Sequence, residues 1–292
     1  MNTILGLIHG LDYLLSSWLI GMFVFESWIA TAAGETVRSR FDRSRKLSVI
    51  LASALVVVSI IWFILVAADM AETWNPLDLF DVATSTRFGH IGVCKIGTVL
   101  AILIFTFANQ LFRFWWIALV LPLCFGLSGH AGTEQTGIVI NLILDTIHLT
   151  AVSVWTGGMI TLLLWLKARP RSYTLLANAS ILVVTRFSHF AMISTALIGI
   201  TGAVMALRFG VDTTSLFSTD YGKLIVAKIT LFTMALAAAS INQFVHIRNY
   251  SSEGEMDFTR SIYREVHIEL AAVWLTFIVV GFLTRLPPPT MN

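Results

Sequence analysis

Asp145, His148, Trp155 and Met159 lie on one side of a long apolar run, DTIHLTAVSVWTGGM. At about 100° per residue they fall within a sector roughly 80° wide. A carboxylate and an imidazole in a lipid-spanning helix cost several kcal/mol unless they face a partner, a cavity or a metal. The stripe passes from hard donors to soft ones, and thioether with imidazole suits copper better than calcium, magnesium or manganese. Asp145 and His148 are spaced i, i+3 and share a face. They read as a metal ligand with a carboxylate behind it, as two ligands, or as a hydrogen-bonded pair at a helix interface. A weaker echo near the N-terminus, IHGLDYLLSSWLIGM, carries His9, Trp18 and Met22, and both copies contain W-x-x-G-M.

Further candidates gather around this stripe. His130, in SGHAG at the end of the fourth apolar run, and His90, at the start of the third, lie toward the same membrane face as His9 and His148. With Met22 and Met159 deeper, His9, His130, His148 and Asp145 form the candidate copper set, and Trp155 screens it from water. Cys94 is a further soft donor; the alternative is that it and Cys124, both inside apolar runs, behave as small hydrophobes. Glu26 and Glu269 are intramembrane acids, functional by default or paired with arginines near the membrane surface. His189, with Met192 one turn on, His246 and His267 lie near the other membrane face, as a release site or as interfacial histidines. Lys95 and Lys228 read as snorkelling side chains, the alternative being charge balance for an anionic site.

The elements that must position these groups follow from composition. The chain has 292 residues, 57% hydrophobic, with a mean hydropathy of +0.81. Only 12% are charged, about half the share in a soluble domain. This predicts an all-α, polytopic membrane helical bundle. Eight apolar runs, near 3–33, 47–68, 89–109, 113–130, 138–166, 180–209, 222–246 and 264–286, are long enough to be transmembrane helices. The first run lacks a basic leader and is too long for a cleaved signal peptide, so it is expected to be retained. Arg38, Arg40, Arg43, Arg45 and Lys46, then Lys167, Arg169 and Arg171, then Arg248, Arg260 and Arg264 mark one side. Asp69, Glu72, Asp78, Asp81, Glu134 and Asp220 mark the other. The positive-inside rule makes the first side cytoplasmic and both termini external. His9, Asp145 and His148 then face outward.

TRFGHIGVCKIG (86–97) resembles TDYGKLIVAKIT (219–230). With the echo in the first and fifth runs, this predicts two parallel four-helix repeats, 1–132 and 133–292, related by an axis along the membrane normal. There is no phosphate-binding loop, no G-x-G-x-x-G after a strand and no C-x-x-C, so the chain reads as neither a nucleotide-dependent enzyme nor a nucleic-acid binder.

The segment from about 125 to 289 resembles the CopD/PcoD family of bacterial copper-resistance membrane proteins. The resemblance rests on SGHAG (128–132), D-x-x-H with V-W-T-G-G-M (145–159), RFSHFAMIS (186–194), TDYGKLIVAK (219–228) and REVHIEL…LTRLPPP (264–289). It implies an inner-membrane protein that passes copper, as Cu(I) or Cu(II), from periplasm to cytoplasm. It also implies a soluble periplasmic copper-binding partner of the CopC type. Two other readings compete: a membrane b-type cytochrome with haem between facing histidines, and a structural or sensory subunit that transports nothing.

Overall fold

The structure, a computed structural model, describes residues 2–34, 37–129, 137–167, 174–241, 255–284 and 286. Side chains at 2, 32, 33, 37, 39, 174–180, 241 and 255–265 are outside the description. His130 and His246 lie outside the described residues.

The described residues are all-helical in their regular structure, and among them eight helices are long and apolar enough to cross a bilayer, so this is a multi-pass membrane protein. The first crossing is α1 (Asn2–Val24), continued by a π turn (Phe25–Ile29) and a 3-10 turn (Ala30–Ala33) that stops at Gly34, where φ is 78°. Glu26 is buried in the π turn, and Arg40, also buried, donates from Nε to the Glu26 carbonyl at 2.8 Å. Because the π register disturbs the ordinary i→i−4 ladder, a side-chain donor can take a main-chain carbonyl here.

The second crossing, α2 (Val37–Ala71), begins ten residues earlier than the hydropathy suggests. The basic residues expected in a loop are helical instead. Arg and Lys are good helix formers. Arg45 is also tied down, donating to the Thr106 and Phe107 carbonyls (3.1 and 2.8 Å) that end the next spanning helix.

Then come α3 (Pro76–Ser85), α4 (Arg87–Phe107), the short α5 (Leu111–Phe114), a 3-10 turn (Trp115–Leu119) and α6 (Val120–Ser128). The break in this fourth crossing lies just before Pro122, whose missing N–H and ring disfavour a straight α-helix at that point. The second half contains α7 (Ile138–Lys167), α8 (Thr174–Arg208), α9 (Ser215–Ser218), α10 (Asp220–Ile241) and α11 (Glu255–Leu283).

Short helices α3 and α9 went unread in the sequence. They precede α4 and α10, which start in the same way. Thr86 Oγ1 accepts from Gly89 N at 2.9 Å and donates to the Val82 carbonyl; Thr219 Oγ1 accepts from Gly222 N at 2.9 Å and donates to the Ser215 carbonyl. Both threonines are N-caps in extended backbone. A β-carbon at Gly89 or Gly222 would strike the backbone of the preceding short helix.

Helix α1 is the hub. Its most apolar stretch is 72% buried, against at most 39% in any other span, and it packs on α2, α7 and α11. Gly6, Gly10, Ser17 and Gly21 form a stripe about 60° wide. Gly6 and Gly10 face Gly281 and Phe277, while Gly21 faces Gly157. Ser153 Oγ lies 3.2 Å from Ser17 Oγ. Thus S-x-x-x-G on α1 crosses S-x-x-x-G on α7, the small-residue packing that lets membrane helices approach closely. A β-carbon at Gly157 would collide with the Ser17 carbonyl and the Gly21 backbone, whereas one at Gly97 would meet nothing. Gly157→Leu is therefore expected to destabilise the detergent-solubilised protein by about 3 kcal/mol or more, and Gly97→Leu to leave its melting temperature unchanged.

Candidate functional site

Asp12, on α1, is fully buried. Ser59 of α2 donates to its Oδ1 at 2.8 Å, and Lys95 of α4 forms an ion pair with its Oδ2. The Lys95 ammonium also lies over the rings of Phe125 (4.2 Å) and Trp62 (5.5 Å). His9 stacks on Trp62 with centroids 4.6 Å apart and sits edge-on to Tyr13, also at 4.6 Å. Tyr13 in turn stacks on Phe125 at 4.1 Å. Lys95 does not snorkel; it is 4% exposed and neutralised in place. In this half the charged groups are saturated by one another and wrapped in aromatic rings.

The other half is built from the same residue types but is more open. His148 is buried on α7, with Nδ1 2.9 Å from Thr201 Oγ1 on α8. The Thr201 hydroxyl donates its hydrogen to the Leu197 carbonyl, so its oxygen accepts and His148 Nδ1–H donates. This fixes the tautomer that leaves the Nε2 lone pair as the basic atom, the arrangement a histidine ligand needs. His148 lines a cavity of about 60 Å³ with Trp155, Ile198, Lys228, Phe232 and Thr276. That volume holds an ion with a water molecule or two; a porphyrin does not fit. Asp145, one turn before His148, is within electrostatic range of Lys228. It borders Gly126, where a β-carbon would lie 3.1 Å from Oδ2. Tyr13 is within electrostatic range of both Asp12 and Asp145, so the two charged groups approach each other through α1.

A second cavity, of about 80 Å³, lies toward the basic end of the same four helices, with Trp155, Ser188, Met192, Thr195, Ser240 and Glu269 in its lining. Trp155 borders both cavities and meets Phe232 edge-on at 5.9 Å.

The structure thus brings His148 and Trp155 together with Lys228 around one cavity, His148 onto Thr201, Asp145 within electrostatic range of Lys228, and His9 together with Asp12, Tyr13, Trp62 and Lys95. It distributes the other candidates elsewhere. Met159 is fully buried in the apolar core of the second half and Met22 in that of the first; neither lines a cavity named above. Cys94 and His189 are exposed. His90 is exposed and donates from Nε2 to the Thr84 carbonyl at 2.8 Å, pinning α3 to α4. Glu269 is buried in the lining of the second cavity. Among the described residues, no group of three or more His, Cys, Asp and Glu side chains stands together as a metal site.

Asp12, Ser59, Trp62 and Thr201 were missed by the sequence reading. A signal for Asp12 was present. TRFG and TDYG are 133 residues apart (86 and 219); so are Lys95 and Lys228, and so are Asp12 and Asp145. The W-x-x-G-M echo, at 137 (22 and 159), is one helical turn out of this register. It drew attention to packing glycines and away from the charged pairs.

Two family models match. Residues 1–140 fit copper resistance protein D-like, N-terminal domain, and residues 181–283 fit copper resistance protein D. Among curated proteins, copper transport protein CutJ of Bacillus subtilis (strain 168) is 29% identical over 184 residues, covering 61% of this chain. The aligned part is 32% of that relative, so this chain spans about a third of its length. No solved structure matches. The two matches, which between them take in both halves of the eight-span bundle, identify the chain as a member of the copper resistance protein D family.

Proposed function

We propose that this copper-handling membrane protein imports copper from periplasm to cytoplasm across the bacterial inner membrane, and that the His148 cavity is where the ion first leaves water. The observation that carries this is a buried histidine with Nε2 left basic, lining a cavity with Lys228, the lysine that lies within electrostatic range of the intramembrane Asp145. In lipid such groups are retained for function. The ion is taken as copper(I): imidazole is an acceptable ligand, few ligands suffice, and a monovalent ion is repelled least by Lys228.

His9, with its aromatic shell, flanks the route through Tyr13, and His130 follows the end of α6 in the chain. The buried thioethers Met22 and Met159 serve as soft packing on either side. A soluble copper-binding donor of the CopC type delivers the ion at the acidic end, where both termini are periplasmic. Small-residue packing of α1 on α7 supports this reading by holding the two halves rigidly around the charged groups.

The test is copper accumulation in a bacterial host lacking its own uptake route. Cells expressing the wild-type chain are expected to hold several-fold more copper than vector controls. His148→Ala should fall to within about twofold of the vector at equal membrane abundance. Lower cell copper with the wild type would reverse the direction, and wild-type accumulation by His148→Ala would remove the cavity from the route.

A further inference from the structure

We propose that the second cavity, bounded by Ser188, Met192, Thr195, Ser240 and Glu269, is a separate copper(I) site, partitioned from the His148 cavity by the Trp155 indole. This deepens, and rests on, the reading of the His148 cavity as a copper site.

The geometry places the two cavities in series. Each is lined from α7, α8, α10 and α11. On α8 the lining moves from Ile198 to Thr195, Met192 and Ser188; on α10 from Lys228 to Ser240; on α11 from Thr276 to Glu269. Every step runs toward the basic end. On α11 Thr276 and Glu269 are seven positions apart, about 10 Å along the helix. A single ion therefore cannot be held by both linings at once.

The donor types change along the same path. The first cavity offers an imidazole beside a lysine. The second offers a thioether, a carboxylate and three hydroxyls, and its lining holds no lysine or arginine among the described residues. Thioether sulfur selects copper(I) over the hard divalent cations, and the carboxylate favours a cation where Lys228 opposes one. A cavity of about 80 Å³ accommodates the ion with its remaining water. Donor chemistry thus draws copper(I) inward.

Trp155 is the partition. Its side chain is 4% exposed, yet its Nε1–H has no hydrogen-bond partner among the described residues. A buried indole normally finds one. Only packing, including the edge contact with Phe232, holds the ring between the cavities. Rotation of that ring joins them without breaking a hydrogen bond.

The experiment is an anaerobic titration of the purified full chain with copper(I) against a chromophoric copper(I) chelator. The wild type is expected to bind two ions. Met192→Leu/Glu269→Gln should bind one, and His148→Ala should bind one. Two ions retained in Met192→Leu/Glu269→Gln would overturn the second site while leaving the His148 reading intact. Two ions retained in His148→Ala would instead count against the His148 reading, and no ion bound by the wild type would overturn both sites. A second measurement guards against a misfolded double variant. In Met192→Cys, alkylation of residue 192, followed by peptide mass spectrometry, should slow at least tenfold with copper(I), in the presence or absence of His148→Ala. An unchanged alkylation rate overturns the proposal.

Discussion

Asp12→Ala is expected to destabilise the protein by about 3–5 kcal/mol, because removing one partner of a buried ion pair leaves the other charge uncompensated. Lys95 cannot escape to water: it is 4% exposed and enclosed by Trp62 and Phe125. The cation–π contacts that remain contribute at most about 2 kcal/mol, too little to offset an unpaired ammonium in an apolar bundle. Ser59 Oγ also loses its acceptor. Asp12→Leu/Lys95→Met, which replaces both charges with apolar groups of similar volume, should recover most of the loss. Thermal unfolding in detergent of the wild type, Asp12→Leu, Lys95→Met and Asp12→Leu/Lys95→Met completes the cycle. A near-zero coupling energy would show that the pair does not hold α1, α2 and α4 together, and that the N-terminal charges are free for another task.

The number and placement of the helices were legible because the signal is collective. Some twenty apolar residues in succession cannot be anything but a spanning helix, and all eight expected runs overlap the observed spans. Their ends were less legible. Arg38 to Lys46 read as a loop because charge usually marks one, yet α2 starts at Val37 and uses Arg45 as a cap for α4. Helix α3 was invisible to hydropathy, although Asn75-Pro76 is a recognisable start: Asn75 accepts from Leu77 N and Pro76 takes the first turn.

At the site, the i, i+3 spacing puts Asp145 and His148 on one side of α7 by periodicity, which is local, but the neighbours recorded for the two differ: Gly126 beside Asp145, Thr201 and the cavity at His148. Which residues meet across helices is not local. Thr201, Ser59 and Trp62 come from other helices, and nothing in their own surroundings marks them. Met22 and Met159 satisfied the stripe by angle, but angle alone does not separate a core position from a cavity wall. Met192, exposed on α8, lines the second cavity, and no feature of its own segment distinguishes it from the other methionines.

The contrast between the two halves gives the sharpest electrostatic prediction. In the first half, Lys95 and Asp12 are in direct contact. In the second, Lys228 lines the cavity with His148 and interacts with Asp145 without forming an ion pair at contact distance. Lys228 lines the His148 cavity and Asp145 lies within electrostatic range of that lysine, so a cation held there as proposed would be opposed by one charge and favoured by the other. Two unit charges about 6 Å apart at an effective dielectric near 20 interact by about 3 kcal/mol, roughly a hundredfold in affinity. Lys228→Met, nearly isosteric and neutral, is expected to tighten copper(I) at this cavity by up to about a hundredfold. Asp145→Asn should weaken it by a similar factor. Tighter binding is expected to slow turnover, because an ion held too firmly at the first cavity does not move on. Lys228→Met should therefore raise chelator-competed affinity and lower cellular accumulation together, whereas Asp145→Asn should lower both. Lys95→Met, at the matching position in the first half, should change stability and leave copper affinity within about twofold of wild type, since its charge is already consumed by Asp12. If Lys228→Met and Asp145→Asn shift affinity in the same direction, the cation does not sit between them, and the His148 cavity is not where copper is held.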